Sequence, residues 1–149
     1  MFRTLALLFW IGVSLAISAC AHRAVSTQNA DTRPIETVLM KYIDGTSQGK
    51  PELLQEAFYK SLNLYSRNAD GSLKVWDGQD YISRFEPGKP NNRVGRIISI
   101  DQEDDIAVAK VEIEIPGSRI FTDYFLLVKY EGEWKIIHKS YTSRAVESF

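Results

Sequence analysis

The last third of the chain most constrains its fold, because it predicts four β-strands in succession with only tight turns between them. Such short connections join strands that run antiparallel, so this region predicts a meander. Glu131-Gly132 is a two-residue turn of the kind that closes a hairpin. The predicted strands span residues 94–101, 106–115, 119–130 and 134–142.

The second predicted strand alternates between apolar and charged residues. Successive side chains of a strand point to opposite faces, so one face of the sheet is predicted to meet the core and the other to meet solvent. The apolar set is Ala107, Ala109, Val111, Ile113 and Ile115, and the charged set is Lys110, Glu112 and Glu114.

The third predicted strand is apolar on both faces, which implies two packing partners. One partner is the helical layer predicted upstream. The other is a protein partner or a second copy of the chain, as in a homodimer, and a more closed sheet in a monomer is the alternative. Tyr124, Leu126 and Val128 form one face, and Phe121, Phe125 and Leu127 form the other.

Residues 32–93 predict helices that cover the sheet. The first helix starts near Pro34 and has an apolar stripe that ends at Tyr42, and we expect it to end or fray at Gly45. A second, shorter amphipathic helix follows and runs as far as Phe58. The two helices form a helical hairpin.

A turn signal at residues 68–71 predicts a small β-hairpin between strands at residues 62–66 and 73–76. Asp77 is predicted to cap a third helix, because its carboxylate can accept a backbone N–H of the first turn. Pro and Gly exclude regular structure from residues 86–92, which we expect to form a loop at a pocket rim. The aromatic and aliphatic side chains assigned to the core here and in the last strand are Trp76, Tyr81, Ile82, Phe85 and Trp134.

The composition is that of one globular domain, with 149 residues of which 44% are hydrophobic and 25% charged. The formal net charge is −1 and the basic residues are scattered, so the sequence predicts no basic cluster that would bind nucleic acid. No metal site is expected, since the two histidines, His22 and His138, lie far apart in the sequence and Cys20 is the one cysteine. No phosphate-binding or other cofactor motif occurs, so no cofactor is expected.

The start of the chain predicts that the protein is exported from the cytoplasm. Arg3 precedes an apolar run at residues 5–16, which is too short to span a membrane, and small residues follow it as in a secretory signal. Residues 17–20, Ile-Ser-Ala-Cys, resemble the lipobox of bacterial lipoproteins. The resemblance implies that a signal peptide of residues 1–19 is removed and that Cys20 is lipidated.

Residues 20–31 are polar and lack hydrophobic periodicity, so lipidated Cys20 and a flexible tether are predicted to hold a domain of residues 32–149 at the membrane. In lipoproteins of this kind, Asp after the cysteine usually implies retention at the inner membrane. Ala21 stands there in this chain. The expected location is therefore the bacterial outer membrane, with the domain facing the periplasm.

The final hairpin carries a second resemblance, on Asp123-Tyr124, Gly132, Trp134-Lys135-Ile136, Lys139 and Tyr141. Together with the element order, these residues resemble the NTF2-like, or SnoaL-like, α+β cone. The closest likeness is to the family labelled putative lumazine-binding. The resemblance implies about three helices from the N-terminal half, packed on a curved antiparallel sheet with a C-terminal four-stranded meander. Many relatives carry His-Pro after the second helix, where this chain reads Phe58-Tyr59.

Ketosteroid isomerase, an enzyme of this fold, suggests where catalysis would lie. It has a tyrosine on the first helix, a carboxylate base on the strand after the second helix, and a protonated Asp deep in an apolar cone. Tyr42 can take the first role. Residues 62–66 offer no carboxylate for the second role.

Asp123 and His138 form another candidate acid–base pair. If the turn at Glu131-Gly132 sets the register, Asp123, Phe125, His138 and Ser140 share one face of the hairpin. A hydrogen-bonded structural Asp and a half-exposed His are the alternative interpretation. A one-residue slip in register would replace this face by Thr122, Tyr124, Lys139 and Tyr141.

Three functions stay open at this point. The first, which we favour, is a non-catalytic envelope lipoprotein whose cone binds a small apolar or aromatic molecule, or whose sheet binds a protein partner. The second is a small-molecule isomerase, cyclase or dehydratase that uses Asp123 and His138. The third is a purely structural role in the envelope. The candidate ligand-binding residues are Tyr42, Tyr65, Asp123, Phe125, His138 and Ser140.

Overall fold

A computed structural model describes residues 31–146, in which three helices pack on a six-stranded sheet. This α+β architecture, with four C-terminal strands in a meander, confirms the predicted fold class. The predicted signal at residues 1–19, the lipidation site Cys20 and the tether as far as residue 30 lie outside the described residues. Within residues 31–146, no helix is both long enough and apolar enough to cross a membrane.

The helices are α1 (Arg33–Gln48), α2 (Pro51–Ala57) and α3 (Gly78–Ile82). The strands are β1 (Phe58–Arg67), β2 (Leu73–Asp77), β3 (Val94–Glu103), β4 (Ile106–Ile115), β5 (Arg119–Tyr130) and β6 (Glu133–Ala145). β4 and β5 have the predicted bounds, and β3 and β6 run slightly further than predicted.

The sheet has the strand order β2-β1-β6-β5-β4-β3. Neighbours run antiparallel except β1 and β6, which run parallel. The parallel pair was not predicted, because β1 is separated from β6 by most of the domain and no local turn signal connects them. It makes β6 an inner strand and joins the N-terminal half to the meander.

One face of the sheet carries the core. In β4, Ala107 and Val111 are buried while Val108 is 49% exposed, which confirms the alternating pattern. In β5, Phe125 and Leu127 are buried on the same inner face, whereas Tyr124 is 54% exposed on the outer face. The helices supply the rest of the core on the inner face, including Ile35, Leu39, Tyr42 and Leu54.

Gly45 does not end the first helix, contrary to the prediction. α1 continues to Gln48 and ends at Gly49, which has the left-handed backbone conformation that favours glycine. A Cβ on Gly45 would lie 2.7 Å from Leu54 Cδ2. Gly45 therefore allows the close approach of α2 to α1 and does not terminate the helix.

Phe58 belongs to a strand, which corrects the prediction that it ends the second helix. Its backbone is extended, with φ −89° and ψ 143°. It pairs with Ile136 of β6 at the start of the parallel ladder. The ring still packs in the core, stacked on Tyr42 with a centroid separation of 5.9 Å. The Phe58 side chain is therefore buried although its backbone is extended and not helical.

The predicted cap and loop are both present. The Asp77 carboxylate accepts the backbone N–H groups of Gln79 and Asp80, at 2.7 and 3.1 Å. After α3, residues 83–93 contain no helix or strand. The loop is held by α1, since Asn91 Nδ2 donates to the Thr46 carbonyl at 2.6 Å.

A β-bulge in β6 changes the register of the last hairpin. The predicted two-residue turn is present, because Tyr130 pairs with Glu133 across Glu131-Gly132. The register then shifts between Leu126 and Leu127, where Ile137 has no partner. An extra residue on one strand reverses the faces of all residues beyond it.

The prediction that Asp123, Phe125, His138 and Ser140 share a face is wrong for this reason. Beyond the bulge, Asp123 pairs with Tyr141, Phe125 with Lys139 and Leu126 with His138. The inner face therefore carries Asp123, Phe125, Lys139 and Tyr141, a set that neither register considered from the sequence contains. His138 and Ser140 lie on the outer face.

Candidate functional site

A cavity of about 450 Å³ lies between the inner face of the sheet, α1, α3 and the loop at residues 83–93. Its volume lies in the range of small-molecule binding sites. Aromatic side chains form much of its wall, and we call this set the aromatic wall: Trp76, Tyr81, Phe85, Phe121 and Tyr141.

Three polar side chains meet at the floor of the cavity. Tyr42 on α1 donates its hydroxyl hydrogen bond to Asp123 Oδ2 at 2.7 Å. Lys139 on β6 donates to the Tyr42 hydroxyl oxygen at 2.9 Å and lies 2.7 Å from Asp123 Oδ1, at an angle outside hydrogen-bond geometry. Asp123 is 0% exposed and Lys139 is 3% exposed. We refer to Tyr42, Asp123 and Lys139 as the floor triad.

Burial and charge both act on the floor triad. Burial lowers the pKa of the Lys139 ammonium, while the negative charge of Asp123, 2.7 Å away, opposes that shift. Burial, followed by the Asp123 charge, raises the pKa of Tyr42 well above its ordinary value. The same two causes raise the pKa of the neighbouring Tyr81 to about 12. Both tyrosines are therefore neutral hydrogen-bonding groups at physiological pH.

Aromatic rings surround the Lys139 ammonium. Its nitrogen lies 4.9 Å from the centroid of Tyr141, 5.0 Å from Tyr42, 5.6 Å from Phe125 and 5.7 Å from Tyr81. Ring faces attract a cation within about 6 Å, and more strongly where water is excluded. The rings and Asp123 together compensate the desolvation of this ammonium.

The loop at residues 83–93 forms the rim of the cavity, where Glu86, Lys89 and Asn91 are part of the lining. Backbone hydrogen bonds join it to the end of α1: Gly88 donates to the Gly49 carbonyl at 2.9 Å, and Asn91 to the Ser47 carbonyl at 2.8 Å. A Cβ on Gly49 would lie 2.3 Å from the Lys89 carbonyl oxygen. Only glycine permits this approach, so the rim has a fixed position on the helix.

The structure brings some of the predicted site residues together and separates others. Tyr42 and Asp123 meet in the floor triad, and Phe125 packs edge-on against Tyr42 at 5.0 Å in the core beside it. His138, Ser140 and Tyr65 lie on the other face of the sheet. There His138 Nε2 is 2.8 Å from Ser140 Oγ, and its ring stacks on Tyr65 at 4.7 Å.

This separation corrects the Asp123–His138 acid–base pair, because the sheet stands between the two side chains. Among residues 31–146, no three His, Cys, Asp or Glu side chains are grouped as ligands of a metal ion. His138 forms a cluster with Tyr65 and Ser140 on the outer face of the sheet.

Sequence reasoning assigned no role to Lys139 or to Arg93, and it placed Trp76 in the core. Lys139 is the centre of the floor, and Trp76 is half-buried and lines the cavity. One signal was present, because Lys139 and Tyr141 belong to the motif that carries the family resemblance. Strict alternation through β6 would point the side chains of Lys139 and Tyr141 outward. The bulge turns them inward, and the sequence gives no clear signal of it.

The family described as putative lumazine-binding matches residues 30–142. The architecture is that of the NTF2-like superfamily. Because the match spans most of its length, the chain belongs to the putative lumazine-binding family. No curated protein matches the sequence significantly.

Solved structures with this fold include two NTF2-like proteins of unknown function. The protein from Methylobacillus flagellatus is 30% identical, with a TM-score of 0.66, 82% of this chain and 97% of that chain covered. The protein from Shewanella baltica is 24% identical, with a TM-score of 0.70 and coverages of 80% and 98%. A ketosteroid isomerase-like protein from Erwinia carotovora atroseptica is 13% identical, with a TM-score of 0.59 and coverages of 80% and 99%. At that identity, its likeness shows the fold alone.

A double-mutant cycle will test whether the floor triad stabilises the fold. Asp123→Asn leaves the Lys139 ammonium buried without its counter-ion, so we expect a loss of about 3–5 kcal/mol in the free energy of unfolding. Lys139→Met is expected to cost a similar amount by isolating the Asp123 carboxylate. The double variant should lose much less than the sum. Urea denaturation measures all four proteins, and additive losses would show that the pair does not act as a unit.

Alkaline pH will test the burial of Tyr81. Its pKa is about 12 in the folded protein, against 10.0 for an ordinary tyrosine. Between these values the unfolded chain loses the proton and the folded protein keeps it, so stability falls as pH rises from 10 to 12, by about 3 kcal/mol from this group. Tyr81→Phe should reduce the slope of stability against pH, measured by urea denaturation. Tyr124→Phe on the outer face is the control, and an equal change in both variants would contradict the assignment.

Proposed function

We propose that this protein is a non-catalytic envelope lipoprotein whose NTF2-like domain binds a small aromatic molecule in the cavity above the floor triad. The observation that carries the proposal is the division of the cavity into a closed polar floor and an open aromatic wall. Flat aromatic molecules stack on such walls with favourable offset or edge-to-face geometry.

The floor triad supports a structural role for the polar groups. The Tyr42 hydroxyl donates to Asp123 and accepts from Lys139, so its hydrogen atom is already committed. Both Asp123 oxygens contact triad members. An acid–base catalyst needs a group that can reach the proton it moves. Here the Asp123 carboxylate is 0% exposed, with one oxygen accepting from Tyr42 and the other beside the Lys139 ammonium.

An isomerase or dehydratase activity is the weaker candidate for the same reason. The sheet separates Asp123 from His138, the acid–base pair predicted for such an activity. The Tyr42 hydroxyl already donates its hydrogen bond to Asp123. A relative of the fold with an enzyme name carries no activity over to this chain, because one fold serves many functions.

The envelope location rests on the sequence. Residues 17–20 have the lipobox pattern directly after an apolar signal core, and Ala21 favours the outer membrane. Residues 20–31 are the proposed tether, and the family match begins near its end, at residue 30. Lipidation with several acyl chains provides stable anchoring that one chain does not.

The outer face of the sheet is a further proposed contact surface for a partner or a second copy of the chain. Ile106, Val108 and Tyr124 are exposed there on adjacent strands β4 and β5. Exposed apolar side chains grouped in this way are typical of interaction surfaces. Sedimentation equilibrium of the purified protein tests self-association, and a monomer at all concentrations would exclude the second copy.

Binding of a neutral aromatic probe tests the cavity. We expect 2-naphthamide to bind the full chain, titrated by calorimetry in micelles with micelles alone as the reference. Trp76→Leu removes one ring of the aromatic wall and should weaken binding about fivefold. Tyr124→Leu removes an exposed outer-face ring and should leave binding unchanged. Failure of the unsubstituted protein to bind the probe would contradict the proposed function.

Lipidation at Cys20 is tested in a bacterial host. The full chain should incorporate a labelled fatty acid and sediment with the outer membrane. Cys20→Ser removes the acceptor thiol and should abolish the label and membrane association. Ser18→Ala keeps a small residue in the lipobox and serves as the control. Label that persists in Cys20→Ser would place the anchor elsewhere.

A further inference from the structure

We infer that the ligand of the cavity is an aromatic anion, a flat ring system bearing a carboxylate or similar acidic group, and that Arg93 with Lys74 and Arg84 binds the negative charge. This inference rests on the proposed function, because it specifies the chemistry of the molecule bound at that same cavity.

The lining of the cavity is strongly biased towards positive charge. Five basic side chains contribute to it against two acidic ones, although the whole chain has a formal net charge of −1. The two acids are already paired, Asp123 with Lys139 at the floor and Glu86 with Lys89 at the rim. The remaining cations are Lys74, Arg84 and Arg93.

These three cations pack on rings of the aromatic wall. Lys74 Nζ lies 4.9 Å and Arg84 Cζ 4.8 Å from the centroid of Trp76, while Arg93 Cζ lies 5.3 Å from that of Phe85. Stacking uses the face of a guanidinium and leaves its in-plane N–H donors available. Within residues 31–146, none of the three forms a salt bridge with a carboxylate. Their charge is therefore available to a ligand that lies along the aromatic wall.

Arg93 is the best placed of the three. It is half-buried just before β3, whereas Lys74 and Arg84 are exposed at the mouth. It lines the cavity together with Tyr81 and Lys139. Its charge and hydrogen-bonding lower the pKa of Tyr81, against the larger effect of burial, and its charge lowers the pKa of Lys139. A charge-assisted hydrogen bond is stronger there than at the open surface, because water screens it less.

The geometry matches a ligand with two parts. The aromatic body of the ligand fits against Trp76 and Phe85. An acidic group at the edge of that body meets the guanidinium of Arg93, which packs on Phe85. A second basic group at the floor, Lys139, is already neutralised by Asp123. The anion is thus expected near Arg93 and the mouth.

Two probes with the same ring system separate this inference from the proposed function. We expect 2-naphthoate to bind the full chain about tenfold or more tightly than the neutral 2-naphthamide, measured by calorimetry in micelles against micelles alone. Raising the salt concentration should weaken the binding of naphthoate and leave that of naphthamide nearly unchanged.

Arg93→Gln should remove most of the preference for naphthoate while keeping the affinity for naphthamide, which also reports that the cavity is intact. Arg96→Gln makes the same change of charge three residues further on, in an exposed pair with Glu112, and should keep the preference. Naphthamide binding without a preference for naphthoate would overturn this inference and leave the proposed function standing. Equal losses in the two variants would assign the preference to overall charge and overturn the site. Binding of neither probe would overturn both proposals.

Discussion

The buried ion pair between Asp123 and Lys139 is the interaction on which the rest of the structure depends. Two charges removed from water are costly, and they are tolerated only when each remains paired and hydrogen-bonded. The pair joins β5 to β6, and the Tyr42 hydroxyl extends the network to α1. A single polar cluster thus specifies where the first helix lies on the sheet. The cavity is the space that remains beside this contact.

The bulge at Ile137 determines which side chains form that contact. Before it, Trp134 and Ile136 face the core, and after it Lys139 and Tyr141 do. Two residues, Ile137 and His138, therefore lie between successive inward-facing residues at the bulge, where a regular strand has one. Without the extra residue His138 would face inward and Lys139 outward. The chemistry of the cavity floor therefore follows from one irregularity of the backbone.

Local patterns were sufficient for most of the fold. Alternation in β4, the turn at Glu131-Gly132 and the Asp77 cap each depend on neighbours in sequence, and each was predicted correctly. The errors came from long-range contacts. Gly45 was predicted to end the first helix, because the sequence does not reveal its close approach to Leu54. Phe58 was predicted to be helical, but it lies in a strand because it pairs with Ile136, which is distant in the sequence. The site was harder still, since a bulge leaves no clear sequence signal and reverses every face beyond it.

The cavity also shows why overall charge is a poor guide to ligand chemistry. A net charge of −1 with scattered basic residues excludes an extended polyanion surface, but it does not describe any single location. Lys74 comes from β2, Arg84 from the turn after α3 and Arg93 from the residue before β3, so they are dispersed in sequence and gathered by the fold. The two acids of the cavity lining are paired with other cations, Glu86 with Lys89 and Asp123 with Lys139. A local excess of positive charge beside aromatic rings can therefore exist in a nearly neutral protein, and it selects for a ligand that supplies both a ring and an anion.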